Sequence, residues 1–215
     1  MYFKFSHILK TGLLITAIQF LLSSSCNKNN TTPCVNVAYN FAVTAQWLPQ
    51  QEVYAVGDTI YLMSTFPKIL NDQINASLVI DYSNSVGIGG DVAISYLDTI
   101  LRQAVPAKDS FSLLSITGSF LERAFNQSAG VNFNYEETSQ NYSFKGALIC
   151  NKKGIYGIGI SDLSSNGLRG KKCTNAGFSL AVINSEKHLY LHQYALGVNI
   201  NDAYLQQKGY DFRVQ

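Results

Sequence analysis

The strongest constraint on the fold is a strict alternation of apolar and small side chains in residues 154–162. One side of this segment carries Tyr156, Ile158 and Ile160, and the other carries mainly glycine and serine. Successive side chains of a β-strand point to opposite faces, so a period of two predicts a strand with one buried face. Residues 178–182 repeat the pattern.

Similar short runs recur along the rest of the chain, separated by turn signals such as Gly57-Asp58. The chain has 13 Tyr and 12 Phe but one Trp and two Met, a bias that favours strands. About ten strands separated by short turns are typical of an antiparallel β-sandwich. We therefore predict an all-β fold, an antiparallel β-sandwich of immunoglobulin-like or jelly-roll-like type, with one or two short helices. Helical spacing places those helices within residues 119–126 and 201–208.

The charge balance argues against a nucleic-acid partner. Charged residues make up only 14 % of the chain. Outside the N-terminal segment that holds Lys4 and Lys10, basic and acidic side chains are equal in number. No global field would therefore attract the protein to DNA or RNA.

The first 25 residues have the layout of a secretory signal peptide. Lys4 and Lys10 precede a mostly apolar run from Thr11 to Leu22, and serines lead to Cys26. As a helix that run would span about 18 Å, too short for a hydrocarbon core of about 30 Å. A charged start, a short apolar core and small residues predict a cleaved leader.

A cysteine at that border resembles the lipobox of bacterial lipoproteins, in a relaxed form similar to that of Bacteroidota proteins. The resemblance departs from the usual pattern because Leu22 stands four residues before Cys26, with Ser23 in the usual leucine position. It implies cleavage before Cys26, lipid attachment to its sulfur, and an outer-membrane lipoprotein of the cell envelope. Whether the protein faces the periplasm or the surface stays open. Residues 26–35 then form a flexible tether, and residues 36–215 form a single β-sandwich domain.

The remaining cysteines suggest one disulfide. With Cys26 committed to lipid, Cys34, Cys150 and Cys173 are left in an oxidising compartment. Cys150 ends one alternating run and Cys173 precedes another, so we predict a Cys150–Cys173 bridge and a Cys34 that is free or paired between chains.

A row of rings in residues 186–194 is the main candidate ligand surface. If residues 187–196 form a strand, Leu189 and Leu191 face the core. The opposite face then carries His188, Tyr190, His192 and Tyr194. Flat aromatic faces with polar edges suit sugar rings. The two histidines of such a strand would be about 13 Å apart, too far to share an ion, so we predict no metal and no cofactor.

Three functions remain open at this point. The first is a membrane-anchored, non-catalytic binding or structural domain with an envelope protein as partner. The second is a glycan-binding module that uses the His/Tyr row. The third, least favoured, is a hydrolase in which dispersed acids meet in space, namely Asp81, Asp91, Asp98 and Asp162.

Overall fold

The computed structural model describes residues 38–121, 130–198 and 201–215, and within them it confirms an all-β sandwich. The strands are β1 (Tyr39–Leu48), β2 (Val53–Tyr54), β3 (Thr59–Pro67), β4 (Ile69–Asn71), β5 (Val79–Asp81), β6 (Gly89–Asp98), β7 (Gln103–Pro106), β8 (Phe111–Thr117), β9 (Ser119–Leu121), β10 (Gly130–Asn134), β11 (Glu136–Glu137), β12 (Asn141–Cys150), β13 (Gly154–Ile160), β14 (Leu163–Ser165), β15 (Ala176–Val182) and β16 (Gly209–Val214). The helices are α1 (Tyr190–Leu196) and α2 (Ala203–Lys208).

Strand β1 belongs to both layers of the sandwich. Its residues 39–45 pair in parallel with β15, and its residues 46–48 pair antiparallel with β3. One layer continues from β3 to β12, which is flanked by β8 and β11. The other continues through β15, β14, β6, β13, β16 and β2. Apart from β1–β15 and β16–β2, the pairs are antiparallel.

The core between the layers is dominated by aromatic rings. Tyr156 and Ile160 of β13 are buried, as the alternation predicts. The Tyr156 ring packs on Phe111 with ring centres 4.9 Å apart. At the far side of the core, Phe41 contacts Phe178 at 5.2 Å. Burial of so much aromatic surface is the main favourable term in the stability of this fold.

The predicted strand over residues 187–196 is wrong, because this segment forms α1 and the turn before it. The apolar alternation in this segment covers only Leu189 and Leu191. Such a run is too short to distinguish the two-residue period of a strand from the roughly 3.6-residue period of a helix. Leu191 and Ala195, four residues apart, are both buried, as on one face of a helix. Gly197 ends the helix in the left-handed conformation, with φ of 69°.

The other helix predictions have mixed outcomes. Helix α2 lies within residues 201–208, with Asp202 at its N-cap accepting a hydrogen bond from the Tyr204 N–H. Residues 119–121 form strand β9 instead of a helix. The rest of that predicted helix lies outside the described residues.

The predicted Cys150–Cys173 bridge is wrong. Cys150 is a free, buried thiol, whereas Cys173 is disulfide-bonded. The reason is the position of the neighbouring strands along β6. Ser164, in the strand before Cys173, pairs with Gly89 at the start of β6. Tyr156, in the strand after Cys150, pairs with Tyr96 near the end of β6. Seven residues of strand span about 23 Å, so the segments that carry the two cysteines lie at opposite ends of the sandwich.

The leader with Cys26, and the tether up to residue 35, lie outside the described residues, so lipidation at Cys26 stays a prediction. In the part of the chain that is described, no helix is long and apolar enough to cross a membrane.

Candidate binding site beside helix α1

Helix α1 lies on the outer face of β13 and β16, where glycines leave room for it. The core-facing residues of β13 alternate with Gly157 and Gly159. A Cβ atom at Gly157 would lie 2.9 Å from Oδ1 of Asp211 and 3.5 Å from Nδ1 of His192. Glycine at position 157 therefore leaves room for the Asp211 side chain on the neighbouring strand.

A buried acid and two partly buried histidines lie close together at helix α1. Asp211 is 1 % exposed, and its Oδ2 lies 3.5 Å from Nδ1 of His192. Burial raises the pKa of Asp211 above its ordinary value, and the nearby His192 and His188 partly oppose this. Oδ2 of Asp211, Nδ1 of His192 and Nε2 of His188 are buried without a hydrogen-bond partner among the described residues. Buried polar atoms without a partner are costly, so this cluster is an exception to the usual pairing of buried polar groups.

The turn before α1 forms one wall of an open groove. His188 adopts a φ of 52°, and its ring packs edge-on against Tyr210 at 5.9 Å. The Lys187 Nζ donates to the backbone oxygens of Gln206 and Gln207, which joins the turn to α2. Residues 185–190 and Gln206 line this groove, which has a volume of about 500 Å³.

Two tyrosines flank an ion pair beside helix α1, and one of them, Tyr190, also lines the groove. Tyr190 and Tyr194, one helical turn apart, are 48 % and 65 % exposed. Arg213 lies between strand and helix, with Nε 3.5 Å from Oε1 of Glu52 and its guanidinium 5.6 Å from the Tyr194 ring centre. A hydrogen bond to Glu52 raises the pKa of Tyr190. We call Glu52, Tyr190, Tyr194 and Arg213 the tyrosine platform.

The platform combines the groups that bind a polyhydroxylated ring. Exposed tyrosine rings offer flat apolar faces. The carboxylate of Glu52 accepts hydrogen bonds, and the guanidinium of Arg213 donates them in a fixed fork. The groove beside Tyr190 provides a concave surface next to these groups.

Only the tyrosines of the predicted ligand row lie on one exposed face, and the histidines lie elsewhere. Tyr190 and Tyr194 are exposed on one face, as expected, although a helix and not a strand presents them. His192 is turned toward Asp211, and His188 packs against Tyr210, so neither stands in line with the tyrosines. Leu189 and Leu191 are buried, as predicted, at 7 % and 0 % exposure.

The sequence patterns do not predict Glu52, Arg213 or Asp211 as site residues. Asp211 did carry a signal, because it is an acid between two aromatic residues in a short apolar strand. Such a position is usually buried and partnered. Glu52 and Arg213 carry no signal, since they meet only through the β2–β16 pairing of distant segments.

Asp81, Asp98 and Asp162 do not meet in one cleft, whereas Asp91 lies beside Ser161, whose hydroxyl accepts a hydrogen bond from the Asp91 N–H at 2.8 Å. Asp81 accepts a hydrogen bond from Ser83 beside the β4–β5 hairpin. Asp98, at the other end of the sandwich, accepts hydrogen bonds from the backbone of Ile100 and Leu101. Asp162 is ion-paired with Lys208 at 2.6 Å. Within residues 38–121, 130–198 and 201–215, no group of three or more His, Cys, Asp or Glu side chains could hold a metal ion.

No family model and no curated protein matches the chain. Solved structures that resemble it include the second type II cohesin module of the adaptor ScaA scaffoldin of Acetivibrio cellulolyticus. That match has 9 % identity and a TM-score of 0.32, and covers 67 % of this chain and 94 % of the module. A type II cohesin A11 from Bacteroides cellulosolvens has 14 % identity and a TM-score of 0.26, with 64 % and 86 % covered. At TM-scores this low, the likeness says nothing about what this chain binds.

Proposed function

We propose that this protein is a lipid-anchored binding protein of the bacterial cell envelope, with the tyrosine platform and its groove as the ligand site. The observation that carries the binding role is the pair of exposed tyrosines around the Glu52–Arg213 ion pair. Large rings exposed singly are common on protein surfaces, but two rings beside fixed polar groups and a groove form a built surface.

The ligand class that fits this surface is a glycan. Sugar rings stack on aromatic faces through their C–H groups and offer hydroxyls to carboxylate and guanidinium groups. The platform presents all three partners on neighbouring elements. A protein partner at the same surface is the second candidate.

A glycan array tests the ligand class. We expect the wild-type protein to bind a restricted set of glycans, and the Tyr190→Ala variant to lose those signals. An array without any hit would contradict glycan binding and favour a protein partner at the same surface.

Metabolic labelling tests the anchor separately. Its only support is the short apolar run up to Leu22, followed by serines and Cys26. Cells given a fatty-acid analogue should label the wild type and not Cys26→Ala. Equal labelling of both chains would contradict lipidation at this residue.

A further inference from the structure

The β4–β5 hairpin exposes an unusual amount of apolar surface. Ile69, Ile74 and Val79 expose between 58 % and 70 % of their surface, and Leu78 is also exposed. Ile74 and Leu78 lie in the loop that joins the two strands. Close-set apolar side chains on one loop mark an interaction surface more often than scattered ones do.

This hairpin is fixed to the place where the chain enters the domain. The Asn40 N–H donates to Oδ1 of Asp72 at 2.9 Å, and the Gln73 N–H donates to the Asn40 oxygen at 2.6 Å. The Asn40 bond is the main reason that the pKa of Asp72 lies below its ordinary value. The hairpin therefore stays at the end where β1 begins, which we call the entry end.

A basic loop lies at the same end. Arg169, Lys171 and Lys172 are exposed in the loop between β14 and β15. The buried Tyr82 follows the hairpin and donates to the Thr174 oxygen in this loop at 2.8 Å. Exposed apolar side chains next to cations are the combination that binds the surface of an anionic membrane.

The distance to the anchor supports the same orientation. Ala38 stands twelve positions after Cys26. A flexible chain of that length spans about 20 Å on average and about 40 Å at most. Strand β1 adds about 30 Å before the opposite end is reached. An anchor at Cys26 thus favours contact between the membrane and the entry end.

We propose that the entry end lies on the lipid surface and that the loop of the β4–β5 hairpin inserts its apolar side chains at the boundary between the lipid headgroups and the acyl chains. This inference rests on the proposed anchor, because the anchor selects which end faces the membrane. The partner is an anionic phospholipid surface, with Ile74, Leu78 and Val79 as the inserting residues and the basic loop beside them.

Fluorescence quenching in vesicles tests the orientation. The full chain with Ile74→Trp is reconstituted through its lipid into vesicles of phosphatidylethanolamine and phosphatidylglycerol that carry brominated acyl chains. The matched control is Ile100→Trp, since Ile100 is 89 % exposed in the β6–β7 turn at the opposite end. Native Trp47 is fully buried and adds the same background to both variants.

We expect bromine to quench the added indole of the Ile74→Trp variant and to leave that of the Ile100→Trp variant as bright as in bromine-free vesicles. Adding Leu78→Asp and Val79→Asp to Ile74→Trp should abolish the quenching, while unchanged Trp47 emission shows that the domain is folded. An Ile74→Trp variant that is no better quenched than the wild type, or stronger quenching of the Ile100→Trp variant, would overturn the inference.

Failure of the anchor can be told apart from failure of this inference. If Cys26 takes up no fatty acid, the anchor is wrong, and the same tryptophan variants are added to preformed vesicles. If bromine then quenches the Ile74→Trp variant but not the Ile100→Trp variant, insertion of the hairpin is still supported. If bromine quenches neither variant, insertion of the hairpin is refuted. If Cys26 is labelled but the Ile74→Trp variant is not quenched, the anchor stands and the orientation is wrong.

Discussion

At the scale of single residues, Asp211 shows how burial changes chemistry in this fold. Burial raises its pKa above the ordinary value of 3.8. Between the unfolded and folded pKa values, the folded state binds the proton more tightly than the unfolded state does. The tighter binding of the proton adds to the free energy of unfolding. This added stability is complete at low pH and is lost as pH rises through the folded pKa.

An asparagine at this position should remove that pH dependence. We expect Asp211→Asn to gain stability relative to the wild type as pH rises from about 4 to 7, because the variant has no buried carboxyl to ionise. Urea unfolding at several pH values measures the difference, with Asp109→Asn as the control for loss of an exposed carboxylate. A constant difference between Asp211→Asn and the wild type across this range would contradict the raised pKa.

The cysteines give a second prediction at this scale. Burial raises the pKa of Cys150 to about 11, so its thiolate is scarce at neutral pH. We expect iodoacetamide to modify Cys150 only after unfolding, and Cys173 only after reduction. Peptide mapping reads both results at once. A peptide that links Cys150 to Cys173 would restore the pairing that the structure rejects.

At the scale of elements, α1 is the segment where the two faces have different roles. Leu191 is fully buried against the sheet, whereas half of Tyr190 is exposed. We expect Leu191→Ala to lower the free energy of unfolding by about 2–5 kcal/mol, and Tyr190→Ala to lower it by less than about 1 kcal/mol. Chemical denaturation of both variants measures this. Similar losses would mean that Tyr190 is part of the core.

The same helix shows where prediction from sequence succeeds and fails. Strands such as β13 could be predicted because their alternation runs through seven residues and one face is buried. Helix α1 could not, because the spacing of Leu189 and Leu191 matches a strand, and only the sheet beneath selects the helix. Half of the site, Tyr190 and Tyr194, was found from local pattern. Glu52 and Arg213 meet them through tertiary contacts that no local pattern encodes.

At the scale of the whole molecule, the platform and the entry end lie apart. Gly197 at the end of α1 is close to Arg102, in the turn that follows β6. The entry end lies at the start of β6, where Gly89 pairs with Ser164. About 30 Å of strand separates these ends. With the entry end on the membrane, the platform would face away from it and stay open to ligands.

Calorimetric titration of the glycan that binds best on the array tests binding at the platform most directly. The compared chains are the wild type, Tyr190→Ala, Tyr194→Ala and the control Tyr61→Ala, whose ring also lies under a cation, 5.0 Å from Lys145 Nζ. Loss of a stacked ring costs about a factor of ten in Kd. We expect both platform variants to bind about ten-fold more weakly and Tyr61→Ala to match the wild type. Equal affinity in all four chains would contradict a ligand site at the tyrosine platform.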